Sequence, residues 1–320
     1  MLVISTNGAR VAEGTFEETA VTIGVFDGVH RGHAAVIGEL VAVKSRERAS
    51  RSIVLTFENH PLTVTHPEMV PPLLTTLDEK LSILEGMEVD VAVVEAFTPE
   101  TAMIDYRAFI ERMLSARLGM KHLVVGYDFH LGRGREGSRE RLVAEGKRLG
   151  FGVTIAPPVV VRGSVISSTR IRSMILGRRL DQAAKYLGRR HFFDAAVVRG
   201  EGLGRSIDFP TANLEVRESR KLLPPGGVYA VEVDAGGRRH GGMMNVGSAP
   251  TMHEDGRRRI EVHLFDFCGE LYGERVRVHC VRYIRDERRF ATPDELRARL
   301  MQDRETVCRI LNGKRGEKKC

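Results

Sequence analysis

His30 and His33, separated by Arg31 and Gly32, follow the apolar run Val21–Phe26 with only Asp27, Gly28 and Val29 between. If that run is a strand and His33 opens a helix, the turn joining them suits an anion. Gly28 and Gly32 let the backbone approach a ligand closely, and the helix start offers free N–H groups and the positive end of its dipole. Side chains three apart share a face there. Two imidazoles so placed can donate hydrogen bonds to phosphate oxygens as charge builds on an attacked α-phosphorus. The plainer alternative is a capped strand-to-helix turn with two surface histidines. Two histidines bracketing a glycine, straight after an apolar strand, weigh toward phosphate.

A second polar cluster, Ser167, Ser168 and Thr169, stands where another helix is expected, with Arg170 and Arg172 in its first turn. Hydroxyls and helix amides suit a polyphosphate, and arginine grips non-bridging oxygens two at a time. Alone, the triplet reads equally well as an ordinary N-cap; beside the histidine segment it becomes the other jaw of an ATP site. A third cluster lies later. The glycine-rich stretch 200–204 leads into Phe209-Pro-Thr211-Ala-Asn213. If this is extended, Thr211 and Asn213 point to one side, a hydroxyl and an amide able to reach Mg²⁺ and phosphates together. A proline-led turn is the alternative.

Two apparent nucleotide motifs fail. Gly132 to Ser138 has serine where a Walker A loop needs lysine, and Gly200, Gly202 and Gly204 are spaced GxGxG rather than GxGxxG.

The elements that must position these groups change character along the chain. Strands are predicted at Val21–Phe26, Ile53–Phe57, Val89–Phe97, His122–Gly126 and Val153–Ile155. Helices at His33–Ser45, Thr76–Met87, Tyr106–Leu118 and Arg139–Leu149 alternate with them. A last helix runs from Ser168 to about Gly177, after the Pro157-Pro158 break. Such alternation implies a doubly wound parallel sheet with helices on both faces, an α/β domain. Beyond about residue 185, short strands follow one another with glycine turns between: Ala195–Val198, Val228–Val233, Met243–Val246, Ile260–Phe265 and Arg275–Ile284. That pattern predicts a small antiparallel β-barrel, closed by a helix over Thr292–Leu311. The boundary falls near Leu180–Arg190, giving domains 1–183 and 184–320.

Composition fits two soluble domains. Of 320 residues, 42% are hydrophobic and 28% charged, and tryptophan is absent, so the cores rest on aliphatic side chains. Residues 1–183 carry 22 basic and 22 acidic side chains, and the rest carry 27 and 20. The basic surplus sits in short runs with acidic residues between, which reads as a solvated surface and not a nucleic-acid face. No signal peptide and no membrane span is expected. Four cysteines without a CxxC pair argue against zinc or redox chemistry and for the reducing cytoplasm. A weak homo-oligomer is compatible with all of this.

The segment GVFDGVHRGH is similar to the HxGH signature of nucleotidylyltransferases, and its GxFDGxHxGH form resembles the bacterial bifunctional riboflavin kinase/FMN adenylyltransferase family. The likeness continues in Thr56–Pro61 (TFxPHP), Pro72–Lys80 (PxxLTTLxEK), Val124–Phe129 (VVGxDF) and Arg162–Arg172 (RxxxISSTxIR). In the second half it runs through Gly204–Leu214, Gly227–Ala230, Met244–Thr251, Glu261–Phe267 and Ile284–Phe290, in the family's order and spacing. Departures are Asn59 for proline, His130-Leu131 for an Arg/Phe pair, Arg190-His191 for Pro-Tyr, Ala195 for glycine, and Asp208 for glycine.

The resemblance implies a nucleotidylyltransferase-like first domain in which His30 and His33 are catalytic. Gly24, Phe26, Asp27, Gly28, Arg162, Ser167, Ser168, Thr169 and Arg172 would bind ATP there, and Phe57, His60, Asp128 and Phe129 would bind FMN. In the barrel it implies Gly204, Arg205, Thr211 and Asn213 at Mg·ATP, with Thr211 and Asn213 on the metal. Glu261 would be the general base for the riboflavin 5′-hydroxyl, and Arg285, Glu287 and Phe290 would hold the flavin. Riboflavin, FMN, FAD and ATP are the implied partners, and Mg²⁺ the implied cofactor. Without the resemblance, Glu261 could be a strand residue facing solvent. Two other readings remain: an adenylyltransferase whose second domain is a flavin-binding remnant, and a flavin-dependent regulator or RNA-binding protein. The retained Thr211, Asn213 and Glu261 speak against both.

Overall fold

The computed structural model describes residues 1–6, 14–199, 209–247 and 258–312. The chain forms two compact units, Met1–Ser168 and Thr169–Cys320.

In the first unit, strands β1 (Leu2–Ser5) and β2 (Thr19–Ile23) precede helix α1 (Arg31–Arg46). Next come β3 (Ser52–Phe57), the single turn α2 (Leu62–Thr65), α3 (Leu77–Glu85) and β4 (Val91–Glu95). Short helices α4 (Pro99–Met103) and α5 (Tyr106–Ala108) follow, the latter continuing as π-helical turns over Phe109–Ala116. Then come β5 (Met120–Gly126), α6 (Arg139–Leu149), β6 (Gly152–Ala156) and a small hairpin of β7 (Val160–Val161) and β8 (Ser164–Val165). The main sheet is parallel, in the order β1-β4-β3-β2-β5-β6.

Period-two alternation divides its side chains between two cores. Val21, Ile23, Leu55, Val93 and Leu123 pack with Phe109, Ile110 and Leu114 on one face. Ala20, Val54 and Val124 pack with Val36, Ile37, Leu40 and Val43 of α1 on the other. A sheet buried on both faces is what parallel strands with helical crossovers require. From β2 the chain winds outward through β3 and β4, then returns to β5 on β2's other side, so the carboxyl ends of β2 and β5 flank a topological switch point, where open α/β sheets bind ligands.

In the second unit, α7 (Ser168–Leu176) and α8 (Leu180–Leu187) lead into six strands: β9 (His191–Val198), β10 (Ala212–Glu215), β11 (Gly227–Ala235), β12 (Arg238–Val246), β13 (Ile260–Leu264) and β14 (Arg275–Arg285). They close as a barrel in the order β10-β13-β12-β11-β14-β9, every pairing antiparallel. Helix α9 (Pro293–Asn312) lays Val307 and Leu311 on Ala230, Met243, Phe265 and Val281 of the barrel's outer face. Half of the predicted capping box forms at its start: Thr292 Oγ1 accepts from Glu295 N at 3.2 Å, while the Glu295 carboxylate accepts from Ala291 N at 3.2 Å, one residue ahead of the cap.

The fold class is as the sequence predicts, with local differences. The strand expected to reach Phe26 stops at Ile23, and the one expected from Ala195 begins at His191. β1, the β7–β8 hairpin and α8 had no counterpart among the predicted elements.

Candidate active sites

The first site grows from the carboxyl end of β2. Between Gly24 and His30 the backbone turns sharply, with Phe26 at φ 48°, Gly28 at 83° and Val29 at 33°. Positive φ at a phenylalanine and a β-branched valine is strained, of order 1–3 kcal/mol each, so something must hold it. Phe26 and Val29 are buried. The buried Asp27 carboxylate accepts from Leu74 N at 3.2 Å and Thr75 N at 3.0 Å, while Thr75 Oγ1 accepts from Gly28 N at 3.0 Å. A Cβ on Gly28 would stand 2.8 Å from Leu74 Cδ1, so a larger residue there would have to displace Leu74 as well as take up positive φ. The segment 74–75 thus clamps the loop from outside, and is itself fixed by α3, whose Thr76–Glu79 capping box is complete.

At the loop's end His30 is the N-cap of α1, its Nδ1 accepting from His33 N at 3.2 Å. That bond sets the tautomer: with Nδ1 an acceptor, the neutral ring carries its proton on Nε2. The two imidazoles stack with centroids 3.6 Å apart and planes 15° apart, and His33 meets Phe26 edge-on at 5.3 Å. Ser168 Oγ donates to the Asp27 carbonyl at 2.9 Å, which ties the serine cluster to the histidine loop.

The proposed FMN residues sit on neighbouring strand ends. Phe57 ends β3 and packs edge-to-face on Phe97 at 5.3 Å. His60 opens the following turn, its Nδ1 accepting from Leu62 N at 3.2 Å. Asn59, in place of the family's proline, anchors this turn: its amide nitrogen donates to Thr63 Oγ1 and Phe97 O, each at 2.9 Å, and its oxygen accepts from Phe97 N at 2.8 Å. Asp128 and Phe129 follow β5, Asp128 exposed and Phe129 against the core. Arg162 occupies the β7–β8 hairpin tip, exposed, with positive φ shared by Gly163. Ser167 and Thr169 are exposed and Arg172 is buried in α7.

Lys80, the last residue of the Pro72–Lys80 segment, is structurally central. Its ammonium, buried under the loop, donates to Val25 O at 3.1 Å, Thr56 Oγ1 at 2.9 Å and Phe57 O at 3.0 Å. Desolvation lowers its pKa to about 8, with the Asp27 charge opposing. A lysine in the first turn of an amphipathic helical pattern reads as surface, so periodicity does not find it.

The second site is a row across the barrel. Asn213 of β10 pairs with Glu261 of β13, Glu261 with Asn245 of β12, Asn245 with Val228 of β11, and Val228 with Arg285 of β14. Directly paired residues share a face, so one side of the barrel carries Asn213, Glu261, Asn245 and Arg285 in line. Thr211, two residues before Asn213, belongs to the same face. It is the outer face, whose next positions, Met243 and Ala230, α9 covers. Ile260 and Val262 lie buried on the opposite face.

Glu261 Oε1 accepts from Arg259 Nε at 2.9 Å and Nη2 at 2.8 Å. Asn245 Nδ2 donates to Glu287 Oε1 at 3.2 Å, and Arg285 lies 5.8 Å from the Phe290 ring centroid. The predicted flavin trio therefore gathers at one end of the row. Arg285 is held by the buried Asp303 of α9, Nε to Oδ2 at 2.9 Å and Nη2 to Oδ2 at 2.7 Å. Gly204, Arg205 and Asp208 lie outside the described residues. At Arg190-His191 the departure from the family is compensated locally: Arg190 pairs with Glu232, and buried His191 meets Leu222 O through Nε2 at 2.8 Å.

Fold and sites together define a nucleotidylyltransferase-like α/β unit joined to a kinase-like barrel. The chain matches the FAD synthetase family over residues 13–170 and the riboflavin kinase family over residues 187–311. A bifunctional riboflavin kinase/FMN adenylyltransferase of Escherichia coli K12 is 39% identical over 299 residues, 93% of this chain and 94% of that protein. The Bacillus subtilis protein of the same description is 32% identical over 303 residues, 93% and 94% of the two chains. A crystal structure described as a macrolide-efflux protein from Streptococcus pneumoniae superposes with a TM-score of 0.85 at 29% identity, covering 96% of this chain and 99% of that one. The chain belongs to the bifunctional riboflavin kinase/FMN adenylyltransferase family. Among the described residues no helix is long and apolar enough to cross a membrane.

Proposed function

We propose that this chain makes flavin nucleotides in two ATP-dependent transfers: riboflavin and ATP give FMN and ADP in the barrel, and FMN and ATP give FAD and pyrophosphate in the α/β unit. The observation that carries the reading is the Asn213–Glu261–Asn245 row, present in a chain that aligns almost end to end with bifunctional relatives. A domain reduced to passive flavin binding has no use for a carboxylate set between two amides.

In the α/β unit an FMN phosphate oxygen attacks the α-phosphorus of ATP and pyrophosphate leaves. The strained loop and the start of α1 receive the polyphosphate, and His30 Nε2–H and His33 donate to oxygens that gain charge in the transition state. Ser167, Ser168, Thr169, Arg162 and Arg172 supply further contacts to ATP, while Phe57, His60, Asp128 and Phe129 hold FMN. In the barrel the Glu261 carboxylate takes the proton of the riboflavin 5′-hydroxyl as that oxygen attacks the γ-phosphorus, and ADP leaves. Arg259 grips Oε1, which leaves Oε2 to meet the hydroxyl. Arg285, Glu287 and Phe290 hold the flavin.

Thr211 and Asn213 offer hard oxygen donors of the kind Mg²⁺ accepts beside substrate phosphates. When bound, the ion offsets phosphate charge. Adenylylation belongs to residues 1–183 and phosphorylation to 184–320. A physical cut is better placed ahead of α8, which spans residue 183 and packs on β9 and β14. A cytoplasmic location suits both the ATP supply and the free thiols Cys268, Cys280 and Cys308.

The test is the fate of labelled ATP. Label in the γ-phosphoryl group should enter FMN, and label in the α-phosphoryl group should enter FAD alone. Absence of γ-label from FMN would leave adenylylation as the only activity.

A further inference from the structure

The Oδ1 atom of Asn245 is buried and has no hydrogen-bond partner among the described residues. An acceptor shielded from water and left without a donor is costly, so such atoms mark places where a donor arrives. The other end of the same amide is committed: Nδ2 donates to Glu287 Oε1 at 3.2 Å. That bond fixes which way round the amide sits, because a carboxylate only accepts and the flipped amide would set oxygen against oxygen. Asn245 therefore presents an acceptor, and what it recognises must bring an O–H or N–H.

Its register position narrows the choice. Asn245 stands directly opposite Glu261 on the neighbouring strand, on the same face, with side chains about 5 Å apart at Cβ. If Glu261 meets the terminal hydroxyl of the flavin's polyol chain, an acceptor one strand away meets a hydroxyl one or two carbons further in.

We propose that Asn245 Oδ1 accepts a hydrogen bond from an internal hydroxyl of the riboflavin polyol chain, so that it selects polyol-bearing flavins and aligns the terminal hydroxyl on Glu261. The assignment rests on reading the barrel as a riboflavin kinase. It makes Asn245 a substrate-binding residue and gives Glu287, already assigned to the flavin, the second task of orienting the amide.

The experiment compares riboflavin with an analogue that has the same ring and a five-carbon chain bearing only the terminal hydroxyl. Phosphorylation of each is followed as kcat/KM for the wild-type chain and for Asn245→Ala. The wild type should prefer riboflavin. The variant should lose about tenfold of that preference through riboflavin alone, with the analogue's value changed less than about twofold. Equal losses on both substrates would mean that Asn245 only shapes the barrel, and the proposal fails. A wild-type chain that phosphorylates neither flavin removes the kinase reading, and the proposal with it, a result distinct from the first. Circular dichroism melting reports whether the variant folds, and Asn245→Ser provides the same comparison if the alanine chain does not.

Discussion

The ammonium of Lys80 donates to the Thr56 hydroxyl at 2.9 Å, and through its two other bonds holds the carbonyls of Val25 and Phe57. One buried cation thus fastens the loop that leaves β2 to the end of β3, the two segments that carry proposed ATP and FMN residues. Lys80→Met keeps an unbranched chain one atom shorter, removes the charge and strands three acceptors, at about 1–3 kcal/mol for each one that stays buried. We expect FAD formation from FMN to fall at least tenfold while riboflavin phosphorylation by the same chain holds. Steady-state rates for the two reactions check this, and equal losses would contradict it.

The same lysine predicts a pH dependence. Its folded pKa, about 8, lies below the 10.5 of the free side chain. Below pH 8 both states hold the proton and burial of the charge opposes folding in full. Between about 8 and 10.5 the unfolded chain binds more protons, so raising pH relieves that cost. The Tm of the wild type relative to Lys80→Met should therefore rise from pH 7 to pH 10. A difference that is flat or falling would show that the ammonium is not desolvated.

His30→Ala and His33→Ala should each lower FAD formation from FMN by about 10²–10³, the usual effect of losing an electrostatic donor to a transition state. FMN formation should remain. His30→Ala should also weaken the start of α1, since the cap accepted by Nδ1 goes with it. Near-normal FAD synthesis in both variants would overturn the site.

How much of this was legible follows from which interactions are local. The GVFDGVHRGH turn, the Thr76 capping box, the Thr292 cap and the switch from α/β alternation to short strands are written in neighbouring residues, and periodicity with turn chemistry finds them. Gly24–Phe26 is apolar enough to extend the predicted strand past Ile23, while the chain's direction there is set by Asp27 reaching Leu74 and Thr75, 47 and 48 residues away. Helix α8 lies between arginine-rich ends that read as a linker, although Leu180, Ala183 and Leu187 are buried. The role of Asn245 is not legible in its motif, because Glu261 and Glu287 meet it only through strand register and the packing of β12, β11 and β14.

The bond between Arg285 and Asp303 predicts a stability effect. Asp303 is buried on α9 and also lies 3.1 Å from Arg299 Nε. Asp303→Ala leaves the Arg285 guanidinium without its carboxylate, a change that costs about 3–5 kcal/mol in buried pairs. The arginine's partial exposure places this case at or below the lower end. Unfolding of the barrel in urea measures it. A variant as stable as the wild type would mean that α9 does not depend on the pair.

Glu261→Gln should abolish FMN formation while leaving barrel stability and FAD formation from added FMN in place, because glutamine matches glutamate in size but cannot take the hydroxyl proton. Retained phosphorylation at more than a few per cent of the wild-type rate would assign the base elsewhere.

The central claim, two transfers in one chain, is tested most directly by incubating the wild-type protein with riboflavin, ATP and Mg²⁺ and separating the flavins chromatographically over time. FMN should appear first and FAD after a lag, with FAD still formed from FMN when Glu261 is changed to glutamine. If riboflavin is left unchanged while added FMN is converted to FAD, the barrel is not a kinase and the bifunctional account is wrong.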